Sequence, residues 1–128
     1  MAIVVDTDVF SYIFKKDTRA AAYETHLIES PKFISFMTLA ELRLWQVRSN
    51  WGERKRSEFD LMISDYGIIF PDENLCTVWA QIQAESGDAG MPISTSDAWV
   101  AAVAVMFELP LVTHNKKHFG HLSDLVLL

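Results

Sequence analysis

The chain has 128 residues, of which 50% are apolar and 22% are charged, and its formal net charge is −6. This composition fits one globular domain over residues 1–128 and excludes a disordered chain. The negative charge argues against a general phosphate-binding surface, and the apolar runs are too short for the ~20 residues of a membrane span.

The N-terminal segment MAIVVDTD lacks the basic flank and the cleavage site of a signal peptide. The single cysteine, Cys76, excludes an internal disulfide, and its apolar surroundings predict a small buried side chain. Together these features predict a cytoplasmic protein that does not associate with membranes.

The first half of the chain predicts two strands separated by helices. AIVV and KFISF have the apolar, β-rich character of strands, and Pro31 marks the end of the helix before the second one. The predicted strands are 2–5 and 32–36, and the predicted helices are 6–14 (a short helix or turn), 17–29, 38–47 and 50–64.

The second half predicts two further strands and two long helices. The predicted elements are a strand at 67–70, a helix at 72–86, a loop at 87–92, a very apolar helix at 94–109, a strand at 111–113, a turn at 114–120 and a possible fifth strand at 124–128. Alternation of strands with helices predicts an α/β fold: a single α/β/α sandwich with a central, mainly parallel sheet of four to five strands.

Three acidic residues lie where apolar segments stop: Asp6, Glu41 and Asp97. In an α/β fold each falls near the carboxyl end of a strand or in the first turn of a helix, at the edge where parallel sheets bind ligands. Carboxylates gathered there repel one another unless a cation joins them, and Mg²⁺ and Mn²⁺ prefer oxygen ligands. The sequence therefore predicts a divalent-metal site.

Each acid also has an ordinary structural explanation. Asp6 can cap a helix, although Asp8 is available for that purpose, which favours a site role for Asp6. Thr38-x-x-Glu41 is a capping-box pattern, which on its own favours capping but is compatible with a site role. The helix dipole favours Asp97 in a first turn, yet its apolar neighbours make a buried carboxylate there costly without a partner.

A polar segment follows the predicted strand at 111–113. Asn115 either forms an Asx-turn or uses its amide oxygen to bind a metal or metal-coordinated water, and Thr113 can do the same through its hydroxyl. The run His114, His118 and His121 has spacing compatible with zinc, but no HExxH or CxxC motif accompanies it. Polar side chains of a surface turn are the favoured interpretation of these histidines.

Basic residues are unevenly distributed. All eleven lysines and arginines lie within positions 15–56 or at Lys116 and Lys117, whereas residues 57–115 carry nine acids. The densest basic segment has Trp45 and Trp51 interleaved, which is typical either of a nucleic-acid contact or of a helix pair with solvated charges. From the segment alone the second interpretation is favoured. The candidate nucleic-acid-binding residues are Arg43, Arg48, Arg54, Lys55 and Arg56.

Four segments taken in order resemble the PIN-domain family, and most closely the VapC-type toxins of prokaryotic toxin–antitoxin pairs: VVDTDVFSYIFK, SFMTLAELRLW, ISTSDAWVAAVAV and LVTHNKKHF. The resemblance covers nearly the whole chain. It implies a compact α/β/α sandwich with Mg²⁺- or Mn²⁺-dependent endoribonuclease activity on RNA. It also implies a homodimer, a prokaryotic cytoplasmic location and a small antitoxin that inserts a segment into the cleft.

The same resemblance assigns the catalytic and metal-binding positions of the family to Asp6, Glu41 and Asp97, and its fourth position, often Asp, to Asn115. A neutral amide attracts a cation less than a carboxylate does, so one or two metals remain compatible with the sequence. A metal held by Asp6 and Asp97, with Glu41 nearby, lowers the pKa of a bound water and polarises a phosphate. Glu41 or Asp97 then orients that water as a base.

Two other functions compete with this one. A phosphoacceptor receiver module needs an aspartate at the end of its third strand, where this chain has Phe70 and Pro71, so that function is disfavoured. A catalytically weak or inactive PIN-like module that binds RNA or protein without cutting is the stronger competitor, because Asn115 replaces a carboxylate. DNA also remains open as a substrate, since no sequence feature reads a 2′-hydroxyl.

Overall fold

The computed structural model describes residues 1–128 and contains four strands and six α-helices. In chain order the elements are β1 (Ile3–Val5), α1 (Thr7–Lys15), α2 (Ala21–Leu27), β2 (Lys32–Ser35), α3 (Phe36–Arg48), α4 (Glu53–Ser64), β3 (Gly67–Ile69), α5 (Glu73–Asp88), α6 (Thr95–Met106) and β4 (Leu111–Val112). Two short 3-10 turns lie at Thr18–Ala20 and Lys116–His118. The predicted alternation of strands and helices is confirmed.

The four strands form one parallel sheet in the order β3-β2-β1-β4. Val4 of β1 pairs with Phe33 on one side and with Leu111 on the other, so β1 is central. The chain adds β2 and β3 outward on one side and then crosses back to place β4 on the other side of β1. The carboxyl ends of β1 and β4 therefore flank a topological switch point, where open α/β sheets bind ligands.

Helices cover both faces of the sheet because strand side chains alternate between them. Val4 and Leu111 pack against α5 and α6, whereas Ile3, Val5 and Val112 pack on the opposite face, in the core that α1 to α4 supply. This arrangement confirms the predicted α/β/α sandwich. Although α6 is very apolar, neither it nor any other helix has the length and apolar character needed to cross a bilayer.

Some predicted element boundaries are wrong. Helix α3 begins at Phe36, not Thr38, because the Ser35 hydroxyl caps it by accepting from the Thr38 N–H at 3.0 Å. Helix α4 begins at Glu53, later than predicted, and α5 continues into the predicted 87–92 loop as far as Asp88. The predicted fifth strand over 124–128 is reduced to a single bridge between Leu111 and Leu127.

Cys76 is exposed, which corrects its predicted burial. Helix α5 buries the face that carries Leu75 and Ile82, and the side chain of Cys76 points away from that face. On α3 the inward position is Trp45, which is half-buried, whereas Val47 is 81% exposed. A run of apolar letters in a helix therefore does not by itself identify the face that packs against the sheet.

Gly67 is a sensitive position, because a Cβ there would lie 2.6 Å from two ring atoms of Phe33. We expect Gly67→Ala to lower the free energy of unfolding by about 1–3 kcal/mol, since the Phe33 ring must move. The matched control is Gly87→Ala within α5, where a Cβ meets nothing within 4 Å. That control should raise stability by about 0.5–1 kcal/mol. Urea unfolding measures both, and wild-type stability in Gly67→Ala would contradict the packing described.

Candidate active site

Asp6 lies at the carboxyl end of β1 and is only 6% exposed. Its Oδ1 accepts a hydrogen bond from the Thr7 N–H at 2.8 Å and so caps α1. Its Oδ2 accepts from the hydroxyl of Thr113, just after β4, also at 2.8 Å. Capping by Asp8 in place of Asp6 is therefore wrong: Asp6 caps the helix and also reaches across the switch point.

Asp8 lies in the first turn of α1 and contacts the loop after β4. Its Oδ1 accepts from the Val9 N–H at 2.7 Å, and its Oδ2 accepts from the His114 N–H at 3.2 Å and from Asn115 Nδ2 at 3.1 Å. This is a site residue that the sequence reasoning missed. The available signal was the Asp-x-Asp spacing directly after a buried strand.

Glu41 joins three helices at the same edge of the sheet. Its Oε1 accepts from the Thr7 hydroxyl at 2.8 Å, and its Oε2 lies 3.4 Å from the donating hydroxyl of Ser96. The capping-box interpretation of Glu41 is wrong, because Ser35 and not Thr38 caps α3. The Glu41 carboxylate instead faces α1 and α6.

Asp97 lies in the first turn of α6, whose cap is Ser94; the Asp97 N–H donates to the Ser94 hydroxyl at 3.1 Å. Its carboxylate is 23% exposed, and Oδ2 lies 3.1 Å from Nδ1 of His118. The negative charge of Asp97 raises the pKa of both Asp6 and Asp8. Asp97 and Asp6 therefore share one edge of the molecule, as predicted.

The electrostatics of the site centre on Asp6. Burial raises the pKa of Asp6 to about 7, and the charges of Asp8 and, more weakly, Asp97 add to that rise. Hydrogen bonds from the Thr113 hydroxyl and the Thr7 N–H oppose it. Burial is also the main reason that the pKa of Asp8 is raised. No lysine or arginine forms a salt bridge with these acids or with Glu41, so no lysine or arginine of the chain compensates their charge.

A hard divalent cation fits this donor chemistry, because the site offers carboxylate oxygens around a buried negative charge. The side chains do not, however, form a ready-made ligand set of three or more acids or histidines. The prediction that Asp6, Glu41, Asp97 and Asn115 surround a single point is therefore not met in full. Like charges repel, and each of the three carboxylates is turned toward a hydroxyl or an imidazole instead.

The loop after β4 is held by Thr113 rather than by an Asx-turn at Asn115. The Thr113 hydroxyl accepts from the Asn115 N–H at 3.1 Å while it donates to Asp6. The side-chain amide nitrogen of Asn115 is directed at Asp8. The amide oxygen of Asn115 remains the group that can face a metal or a water.

The three histidines of this loop bind three different partners. His114 Nδ1 lies 2.7 Å from the Tyr23 hydroxyl, His118 contacts Asp97, and His121 Nε2 lies 2.8 Å from the Ser86 hydroxyl. They therefore do not converge on a zinc site.

The basic segment is partly neutralised by neighbouring acids. Arg43 Nη1 lies 2.6 Å from Asp60 Oδ1, Arg54 pairs with Glu58 at 3.5 Å, and the Lys55 ammonium lies 5.0 Å from the Trp51 ring centre. Neither Arg48 nor Arg56 forms a salt bridge, and no residue of the set hydrogen-bonds to the acids of the site. Their predicted contact with nucleic acid stays a prediction.

Comparison with known proteins agrees with the fold. The family model of the PIN domain matches residues 3–125 of this chain. The chain belongs to the PIN-domain family. Ribonuclease VapC1 of Haemophilus influenzae (strain R2866) is 27% identical over 127 residues, which cover 98% of this chain and 95% of that protein. Toxin FitB of Neisseria gonorrhoeae is 30% identical over 125 residues, covering 91% and 90%.

A solved structure extends the likeness to three dimensions. The crystal structure of VapBC2 from Rickettsia felis, bound to a DNA fragment from their promoter, contains a chain with a TM-score of 0.86 to this PIN domain. That chain is 25% identical, and the alignment covers 100% of this chain and 98% of that one. The predicted resemblance to VapC-type PIN domains is therefore confirmed.

Ionised Asp6 opposes folding of this PIN domain. Its pKa is raised from 3.8 to about 7. The contribution of Asp6 to the free energy of unfolding is therefore fully present below pH 3.8 and is lost as the pH rises through about 7. In EDTA at about pH 8, we expect Asp6→Asn to raise the free energy of unfolding by about 1–3 kcal/mol. Asparagine is an equally good cap, so α1 keeps its start.

Thermal and urea unfolding over a pH series test this expectation. The advantage of the variant should shrink as the pH falls toward about 4, where Asp6 is protonated in the folded state. An Asp6→Asn variant that is less stable than wild type by the same amount at every pH would contradict the electrostatic description of the site.

Proposed function

We propose that the chain is a divalent-metal-dependent endoribonuclease that acts as the toxin of a toxin–antitoxin pair. The observation that carries the proposal is the buried Asp6 carboxylate at the switch point, with Asp8, Glu41 and Asp97 at the same sheet edge. Relatives named as a ribonuclease and as a toxin support it, because both align over nearly the full length of this chain.

We assign the metal-binding role to Asp6, Asp97, Glu41 and, as a neutral oxygen donor, Asn115, with Mg²⁺ or Mn²⁺ as the cation. When bound, such a cation lowers the pKa of a water ligand and offsets the charge of the phosphate. Asp8 contributes a further negative charge at the position where Asn115 has none, since its Oδ2 holds the Asn115 amide at 3.1 Å. This compensation favours a nuclease over a module that binds without cutting.

Side chains of the protein orient the carboxylates of the site and accept a proton during phosphodiester hydrolysis. Thr113 fixes the orientation of the Asp6 carboxylate, because its hydroxyl occupies Oδ2. Glu41 is oriented by the hydroxyls of Thr7 and Ser96, and Asp97 by the imidazole of His118. We assign the acceptance of a proton from the attacking water to Glu41 or Asp97, because both carboxylates lie at the same edge of the sheet as Asp6.

The proposed partners are RNA as the substrate, a cognate antitoxin and a second copy of the chain in a homodimer, all in the cytoplasm of a prokaryote. An antitoxin partner is supported by the Rickettsia felis relative, which is solved as a VapBC2 assembly. Helices α3 and α4 expose Leu44, Val47 and Leu61, apolar side chains of the kind that protein interfaces cover.

Substitution of the two central aspartates tests the nuclease assignment. We expect Asp6→Asn and Asp97→Asn each to lower Mg²⁺-dependent cleavage of single-stranded RNA by at least about 100-fold, because each removes a charge that holds the cation. Asp88→Asn, at the exposed end of α5, is the matched control and should cleave like wild type. Circular dichroism establishes that all variants are folded. Full activity of either site variant would refute the assignment.

Measurements of metal binding distinguish the nuclease from the second candidate function, a module that binds without cutting. The neutral side chain of Asn115 is the feature that favours this second function. Mn²⁺ or Mg²⁺ should raise the melting temperature of the wild-type protein, since an ion that binds only the folded state stabilises it. The same ions should leave Asp6→Asn almost unchanged. Metal-dependent stabilisation without any RNA cleavage would instead identify a binding module, and EDTA should abolish cleavage if the nuclease assignment is right.

A further inference from the structure

Two lysines lie beside the acidic site. Lys116 and Lys117 are the only lysines or arginines in residues 57–128, and they follow Asn115 directly. Both are exposed, and neither forms a salt bridge. They differ in this respect from Arg43 and Arg54, whose charges are partly taken up by acids on α4.

The short turn that carries these lysines is fixed to the site. Before it, Thr113 is fully buried and bound to Asp6; after it, Phe119 is fully buried in the core with α5 and α6. Between these anchors, Asn115 binds Asp8 and His118 binds Asp97. The lysines are therefore held at the acid cluster by a structured element, and not by a loosely attached loop.

Lys117 lines two clefts, one of which contains Asn115 and the other Asp97. One cleft, of about 490 Å³, also contains Tyr23, His114, Asn115 and Lys116. The other, of about 250 Å³, contains Asp97, His118 and His121 among its lining residues. An extended polymer that passed through both clefts would cross the turn next to the carboxylates.

His114 presents an aromatic ring in the larger cleft. The residue is exposed, yet its ring is held edge-on against Tyr12 and Tyr23, with ring centres 5.3 and 6.0 Å apart. The contact between Nδ1 and the Tyr23 hydroxyl fixes it further. A fixed, exposed ring beside cationic side chains is the usual composition of a surface that binds single-stranded nucleic acid.

We propose that Lys116, Lys117 and His114 form a subsite for single-stranded RNA, in which the lysines contact backbone phosphates next to the cleaved bond and His114 stacks on a base. The subsite rests on the proposed nuclease function, which supplies RNA as the ligand. It also answers an electrostatic need: a phosphate chain is repelled by the acid cluster unless cations flank it.

Binding of a short RNA tests the phosphate contacts. Asp6→Asn serves as the non-cleaving background, and the probe is a fluorescein-labelled single strand of about 8–12 nucleotides. We expect Lys116→Ala/Lys117→Ala to weaken binding at least about tenfold at low salt. The slope of log K against log salt should become shallower by about 1.4, since each phosphate contact on a single strand contributes about 0.7.

The matched control is Lys15→Ala/Lys32→Ala, which removes the same charge from places outside both clefts. Lys32 begins β2 and so lies at the amino edge of the sheet, and the Lys15 ammonium lies 5.9 Å from the Tyr12 ring centre, on the side of α1 where the helix ends. This control should change affinity by less than about twofold and leave the salt slope unchanged. Equal effects of the two double variants would overturn the subsite, because net charge alone would then explain the loss.

Substitution of His114 tests the stacking contact separately. His114→Ala should weaken RNA binding with no change in salt slope, because stacking releases no counterions, and His114→Phe should restore most of the affinity. Unchanged binding by His114→Ala would overturn the stacking role, as would a failure of phenylalanine to restore it. Melting temperatures identify any variant whose fold is disturbed, and His114→Phe then remains the deciding comparison.

Cleavage by the otherwise wild-type protein distinguishes failure of the subsite from failure of the function. If wild type cleaves RNA and Lys116→Ala/Lys117→Ala cleaves it with the same KM, the subsite is wrong and the nuclease assignment stands. If wild type neither cleaves nor binds RNA in Mg²⁺, the proposed function is wrong and the subsite with it. A raised KM in this variant, with the Lys15→Ala/Lys32→Ala control unchanged, supports both.

Discussion

The hydrogen bond from Thr113 to Asp6 is the interaction on which the rest of the site depends. At 2.8 Å it joins the loop after β4 to the end of β1, across the switch point of the sheet. The other oxygen of Asp6 starts α1, so a single carboxylate sets the positions of a helix and a loop. A buried charge lowers the stability of the fold, and destabilising charges of this kind are typical of functional sites.

Much of the fold follows from sequence patterns because each strand is a compact apolar run enclosed by helices. The errors have local causes. Phe36 continues the β-like run of KFISF, yet the cap formed by Ser35 starts α3 there. The final leucines form an apolar segment that suggests a strand, but they meet β4 at one bridge. A single capping hydroxyl and a short edge strand outweigh local propensity in these two places.

The position of the acids was predictable, but their partners were not. Asp6, Glu41 and Asp97 could be found because strand ends and helix starts of a parallel sheet share one edge. The sequence assigns Asp8 only a capping role, because nothing local indicates its contact with Asn115, 107 positions further along the chain. The basic segment was ambiguous for the same reason: sequence reports the charge of Arg43 but not its contact with Asp60 on the neighbouring helix.

The hydroxyl of Thr113 makes two hydrogen bonds: it donates to the Asp6 carboxylate and accepts from the backbone N–H of Asn115. Valine has the shape of threonine but supplies neither bond, and the longer polar side chains cannot fit where the side chain is fully enclosed. Serine is the one natural residue with a hydroxyl at the same distance from the backbone. Only threonine and serine can therefore make both hydrogen bonds from this position.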